Sequence, residues 1–360
     1  MNFRETIAEL SMPPGVSRYE SKVADKAAAL LKEYCERVEI LPLYSVVGLR
    51  RGKGENLPRV LLDAHIDQIG FVVSDYAAAA GDDDPEKDAS AGYLRLTTSG
   101  GFDPRVLPAK EVLVHAPEGV LHGIVGCLPP HLKDADRPAD AAPAIGDLVV
   151  DMGMGFAEMR RRIPIGTPVT VSAPPFALAN DFIGAAACDD RACFTAILYA
   201  LELLKDEDLP VDLYAVGSTR EEVDGMGAVT AAFYARPDYA VAVDVTHAWT
   251  PDAEKERTVP AGSGAAIGVG PHLTRKVSST LLRIAEEKGI SHTVEVLPSN
   301  TGTNASGIQL VRNGVATGLV SLPLRYMHTA CEVIRESDAR ACGELLAEFI
   351  RSFGKEAPRC

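Results

Sequence analysis

Five groups of possible metal donors stand out along the chain: His65-Ile66-Asp67, Asp189-Asp190, Glu221-Glu222, Asp244 and His328. Two imidazoles with several carboxylates make a nitrogen and oxygen donor set suited to zinc or a neighbouring borderline divalent ion. A carboxylate with two oxygens can also bridge two ions while each keeps an open position for water. Taken singly, each group has a commoner explanation. A double Glu is usually a solvated helix start, a double Asp a cap, and a single His a packed or surface residue. Their placement sets them apart. His65 follows the apolar run VLLDA, Glu221 and Glu222 follow LYAVGSTR, Asp244 lies near the end of YAVAVDV and His328 follows LVSLPLRYM, while Asp189-Asp190 opens a helix after GAAAC.

The elements that must position these groups can be read from hydrophobic periodicity. After residue 177 the pattern is α/β: helix DRACFTAILYALELLKDED, strand VDLYAVGST, helix GMGAVTAAFYAR, strand YAVAVDVT, a helix from Thr274 to Lys288, strand GVATGLVSLP and a closing helix ESDARACGELLAEFIRSF. Such alternation implies a mostly parallel sheet covered by helices on both faces, and in such sheets ligands bind beyond the carboxyl ends of the strands. Residues 20 to 38 read as an amphipathic helix with Ser17 as its cap, and Arg59 to Asp75 as two strand-like runs, with His65 and Asp67 at the end of the first. Between residues 72 and 176 the runs YLRLTT, EVLVHA, GIVGCL, DLVVDMG and TPVTVSA predict a small β-barrel or sandwich inserted into the α/β unit, which comprises 1–71 and 177–360. The loops GDDDPEKD and KDADRPADAAP read as solvated excursions. No internal repeat is present.

Composition narrows the function classes. A chain of 360 residues with 46% hydrophobic and 24% charged residues is that of an ordinary globular enzyme. A net charge of -14 argues against nucleic acid and anionic lipid as partners. No run approaches the ~18 apolar residues of a membrane span, and the first residues lack a signal-peptide pattern, so a cytoplasmic location is expected. Seven cysteines without a C-x-x-C pair read as reduced thiols.

The ordered motifs DAHIDQIGFVV, GGFDPRVLP, GIVGCLPPH, ACDDRAC, TREEVDGMGA, VDVTHA, GTNASG and YMHTACE resemble the tetrahedral and glutamyl aminopeptidase family of co-catalytic metallopeptidases, over nearly the whole chain. The resemblance implies a phosphorylase/hydrolase-like α/β catalytic domain, an inserted β-rich domain used in oligomerisation, and a homo-oligomer, often a dodecamer. It implies two divalent ions per subunit, zinc or cobalt. His65 and Asp244 would be ligands of one ion and Glu222 and His328 of the other, with Asp189 as the bridge. Glu221 would be the general base in the hydrolysis of N-terminal residues from peptides. Asp67 would accept the second N–H of His65 and fix its tautomer. Asp190 would shape the turn beside the bridge.

Three departures from the family pattern stand out: Gln68 in place of Glu, Asn304 where GTDA has Asp, and Cys193 in place of Gly after DDRA. None replaces an expected ligand or the base, and Asn304, which removes a negative charge, would bear on substrate preference. The glycine-rich GSGAAIGVG lacks the context of a dinucleotide fingerprint and reads as a loop. Cys188 and the histidines at 115, 122, 131, 272 and 292 read as structural, while His247 and Trp249 are candidates to line the cleft. Two alternatives stand beside the aminopeptidase: a dinuclear hydrolase of another bond, because fold does not fix substrate, and a scaffold subunit with an idle site. The intact donor set argues against the second.

Overall fold

The computed structural model describes residues 1–78, 92–132, 142–251 and 253–354. The two acidic loops, GDDDPEKD entirely and KDADRPADAAP for the most part, lie outside the described residues. The chain divides into two compact units. One holds Met1–Gln68, Pro174–Met327 and the described residues from Cys331 on; the other holds the described residues of Ile69–Ala173 together with His328–Ala330.

In the first unit an eleven-stranded sheet has at its centre four parallel strands, in the order Asp212–Ser218, Arg59–His65, Tyr239–His247 and Ala316–Arg325. These strands are near-continuous apolar runs because both of their faces are covered. On one face Val60, Leu62 and Ala64 meet the first helices and Cys188–Leu204, which in turn packs on Glu336–Ser352. On the other face Leu61 and Val216 meet the alanines of helix Met226–Ala235 and Ile308. Antiparallel strands close both flanks, including Val46–Arg50 on one side and Glu332–Arg335 and Phe182–Ala185 on the other. The expected α/β class with a mostly parallel sheet is what the chain adopts.

Several local expectations change. The predicted helix over 20–38 ends at Leu31, and Arg37–Ile40 becomes an edge strand paired with Val46–Arg50. Ser17 does not cap this helix. Glu20 is the residue before it, and the Ser17 hydroxyl is used elsewhere. The GSGAAIGVG segment is not a loop, because Ala265–Val269 is a buried strand between His292–Val296 and Ala316–Arg325. Its glycines serve close packing: a side chain at Gly264, which has φ +85°, would overlap the carbonyl of Ser291.

In the second unit six strands, Gly70–Ala78, Gly92–Ser99, Val149–Met154, Gly119–Gly126, Glu111–Ala116 and Pro168–Val171, close in that order into a barrel. Strand Glu111–Ala116 buries every second residue, so Val112 and Val114 point into a core with Phe71, Leu94, Val150 and Val169. Helix Phe156–Arg162, which the strand-like reading of this region did not foresee, adds Met159 to that core.

Candidate metal centre

The parallel register brings the donors of the first unit to one level. Ser218 pairs with His65 across one ladder, so Glu221 and Glu222 follow three and four residues beyond the sheet. Across the other ladder Ala242 pairs with Asp63, which places Asp244 two positions further on, as His65 is from Asp63. Asp189 and Asp190 enter from the start of helix Cys188–Leu204, where backbone angles are not yet helical, and the peptide between them is cis. The turn carrying Glu221 and Glu222 is tightly built. The amides of Val223, Asp224 and Gly225 all donate to the Arg220 carbonyl, and the Arg220 guanidinium pairs with Asp224. The next helix approaches so closely that a side chain at Gly227 would lie 2.1 Å from the Thr219 carbonyl oxygen.

Two donor groups result. In His65, Asp189 and Glu222, and again in His65, Asp190 and Asp244, one donor atom from each residue lies within 4.8 Å of the others. His65 Nε2 is 3.0 Å from Asp189 Oδ1 and 3.9 Å from Glu221 Oε2. Asp190 does more than shape a turn, since its Oδ2 accepts the His65 amide at 3.1 Å.

Electrostatics fit a cation. Burial, followed by the charge of Asp244, holds the Asp190 carboxyl well above the usual range. Burial and then the Glu221 charge do the same for Asp244, and burial and Asp189 for Glu222. Burial pulls His65 down, but hydrogen bonds to Asp189 and Asp67 and the charge of Asp190 outweigh it, and the net direction is up. Like charges crowded out of water keep protons unless positive charge compensates them. Asp190 Oδ1 is buried without a hydrogen-bond partner among the described residues. This donor set suits divalent ions, whose binding would displace the protons.

Asp67 ties the set together. Its Oδ1 accepts the Glu221 amide at 3.1 Å and lies 3.4 Å from His65 Nδ1, and its Oδ2 accepts the Ser17 hydroxyl at 2.6 Å and the Glu222 amide at 3.4 Å. The backbone carbonyl of Asp67 is also 3.2 Å from His65 Nδ1. The ring therefore turns Nε2 toward Asp189.

His328 packs with the barrel unit, where its carbonyl accepts the Asp103 amide and a side chain at Gly101 would sit 3.1 Å from its Nδ1. His247 is exposed at its strand end, and Trp249 lies under the Lys255 ammonium at 5.1 Å. His115 bonds Thr170, His122 bonds Glu111 and His292 bonds the Ile290 carbonyl. Cys193, one of the departures, is fully buried.

Sequence reasoning missed several supports. The Glu332 carboxylate accepts the Asp189 amide at 2.9 Å, and its only signal was membership of the YMHTACE motif. The fully buried Arg191 donates to the carbonyls of Ile66, Leu10 and Pro13, fixing the segment that carries His65 and Asp67. An Arg directly after a double Asp, at the start of an otherwise apolar helix, was the available clue.

An α/β sheet with a buried carboxylate and imidazole cluster at its strand ends, accompanied by a small β-barrel, defines the class. The sequence matches the M42 glutamyl aminopeptidase family over residues 45–345, and the chain belongs to that family. It is 33% identical over 341 residues to a lysyl aminopeptidase of Pyrococcus furiosus, with 93% of this chain and 92% of that one covered. Among solved structures, an aminopeptidase from the archaeon Desulfurococcus kamchatkensis superposes with TM-score 0.86 at 30% identity, covering 97% of this chain and 94% of that one. A TET1 structure described as a dodecamer gives TM-score 0.81 at 25% identity, covering 97% and 99%. No helix among the described residues is long and apolar enough to cross a membrane.

Proposed function

We propose that the chain is a dinuclear metallo-aminopeptidase, releasing N-terminal residues from peptides with two divalent ions, zinc or cobalt. The observation that carries this reading is the pair of three-donor groups sharing His65, buried or half-buried at the strand ends with one donor atom from each residue within 4.8 Å of the others. His65 and Asp244 would hold one ion, Glu222 and His328 the other, and Asp189 would bridge them. The ions, when bound, would acidify a water and polarise the scissile carbonyl.

The remaining work belongs to the chain. Glu221, at 17% side-chain exposure and with its backbone amide fixed by Asp67, takes the proton of the attacking water and returns it to the leaving amine. Asp67 keeps His65 in one tautomer and holds Glu221 and Glu222 relative to it. The partners are peptides with a free amine, not nucleic acid or membrane. The barrel unit serves a homo-oligomer, a dodecamer in the manner of the TET1 structure, in the cytoplasm.

The test is release of the N-terminal residue from peptides beginning with Leu, Glu, Lys or Ala, and from one N-acetylated peptide, with and without added Zn2+ or Co2+. Metal-dependent release that requires a free amine is the expected result. Two bound ions with no peptide cleaved would overturn the peptidase reading.

A further inference from the structure

Beneath the donor groups lies a second buried polar cluster, formed by Asp63, Ser218 and Asn304, which are 1%, 0% and 4% exposed. Asn304 Nδ2 donates to Asp63 Oδ2 at 3.0 Å and to Ser218 Oγ at 3.0 Å. Asp63 is two residues before His65 on the same strand and therefore on the same face of the sheet. Ser218 is opposite His65 in the next strand and is the last residue before the turn to Glu221 and Glu222. Asn304 precedes the short helix Ala305–Ile308. Asp63 Oδ1 and Asn304 Oδ1 have no hydrogen-bond partner among the described residues, so Asn304 and Ser218 supply what offsets the buried carboxylate.

The polarity of this cluster is specific. An amide offers two N–H donors from one nitrogen, one for a carboxylate and one for a hydroxyl. A carboxylate at position 304 would offer acceptors only and would face Asp63 across a 3.0 Å contact. The Asn at this position, a departure from the GTDA pattern, thus matches the Asp at position 63.

We propose that Asp63 and Asn304 are a complementary positioning pair. The amide ties the strand ending in His65 to the strand leading to Glu221 and Glu222, and so sets the imidazole relative to the general base. This rests on the proposed function. Neither residue touches substrate. Because the pair specifies complementarity rather than identity, exchanging the two residues is tolerated where a carboxylate at both positions is not.

The test uses the full chain as wild type, Asn304→Asp, Asp63→Asn and the double exchange. Each is measured for zinc retained after reconstitution and dialysis, for kcat and KM, and for the thermal midpoint. Asn304→Asp is expected to lower kcat at least tenfold with KM within threefold and to retain less zinc, and the double exchange to return both within threefold of wild type. Asp63→Asn keeps an acceptor for Asn304 and is the milder single change. Wild-type kcat and zinc content in Asn304→Asp would overturn the proposal, as would a double exchange that melts like wild type yet stays as impaired as Asn304→Asp. If Asn304→Asp does not fold, Asn304→Ala, which removes the donor without adding charge, must show the same loss. If wild type binds two zinc ions but cleaves no peptide, the functional reading fails, and zinc retention alone then decides the pairing.

Discussion

Asp67→Asn keeps the size and shape of the side chain but removes its charge and one of its two acceptors. The carboxylate serves three donors, Ser17 Oγ at 2.6 Å, the Glu221 amide at 3.1 Å and the Glu222 amide at 3.4 Å, and stands 3.4 Å from His65 Nδ1. The substituted oxygen can keep the Glu221 amide, and the Ser17 hydroxyl can rotate to accept from the new NH2. The Glu222 amide and the charged partner of His65 are not replaced. A hydrogen bond to a charged group is worth about 1.5–3 kcal/mol. At about 1.4 kcal/mol per tenfold, this becomes a loss of roughly 10- to 150-fold. The loss should appear in kcat/KM for an N-terminal residue amide and in zinc affinity measured by chelator competition, with the thermal midpoint of the zinc-bound chain lowered only slightly. An Asp67→Asn variant within threefold of wild type in both readouts would refute the assignment of Asp67 as the group that orients His65 and Glu222.

Further expectations concern stability and charge. Burial raises the Glu20 carboxyl from 4.5 to about 7. A raised folded value means that stability is fully present below the unfolded value and lost as pH rises through the folded one. The chain should therefore lose on the order of 3 kcal/mol between pH 4 and pH 8 from this group, a slope that Glu20→Gln abolishes in urea titrations at the two pH values. Arg191→Met strips three backbone carbonyls of their donor, so unfolding should cost less by about 3 kcal/mol or more, and Arg191→Lys should not recover it, because one ammonium cannot reach Leu10, Pro13 and Ile66 together. Chelation should lower the thermal midpoint most at alkaline pH, where Asp190, Asp244 and Glu222 are driven to ionise uncompensated; a shift independent of pH would contradict the clustering of these carboxyls.

Much of this arrangement was legible in the residues because it follows from short-range rules. A buried parallel strand is a continuous apolar run, so Arg59–His65, Asp212–Ser218 and Tyr239–His247 could be located, and with them the polar residues at their ends. Helix Cys188–Leu204 was legible for the same reason. What was not legible depended on long-range contacts. Ser17 has the chemistry of a helix cap, and only the approach of its segment to Asp67, 50 residues on, gives its hydroxyl another use. The GSGAAIGVG segment is glycine-rich and reads as a loop until Ser291 and Leu319 pack where side chains at Gly264 and Gly268 would be. Glu332 and Arg191 act on backbone groups far along the chain, and no periodicity encodes that. Asn304 looked like a loss of charge, and its match to Asp63 appears only when residues 241 positions apart meet.

Glu221→Gln tests the central claim most directly, with metal content and peptide hydrolysis measured on the same preparation. Glu221 is the proposed base and not a proposed ligand, so the variant should still bind two ions per chain while the rate of N-terminal residue release falls about 10²- to 10⁴-fold. A variant that keeps its two ions and hydrolyses peptides at the wild-type rate would contradict the account.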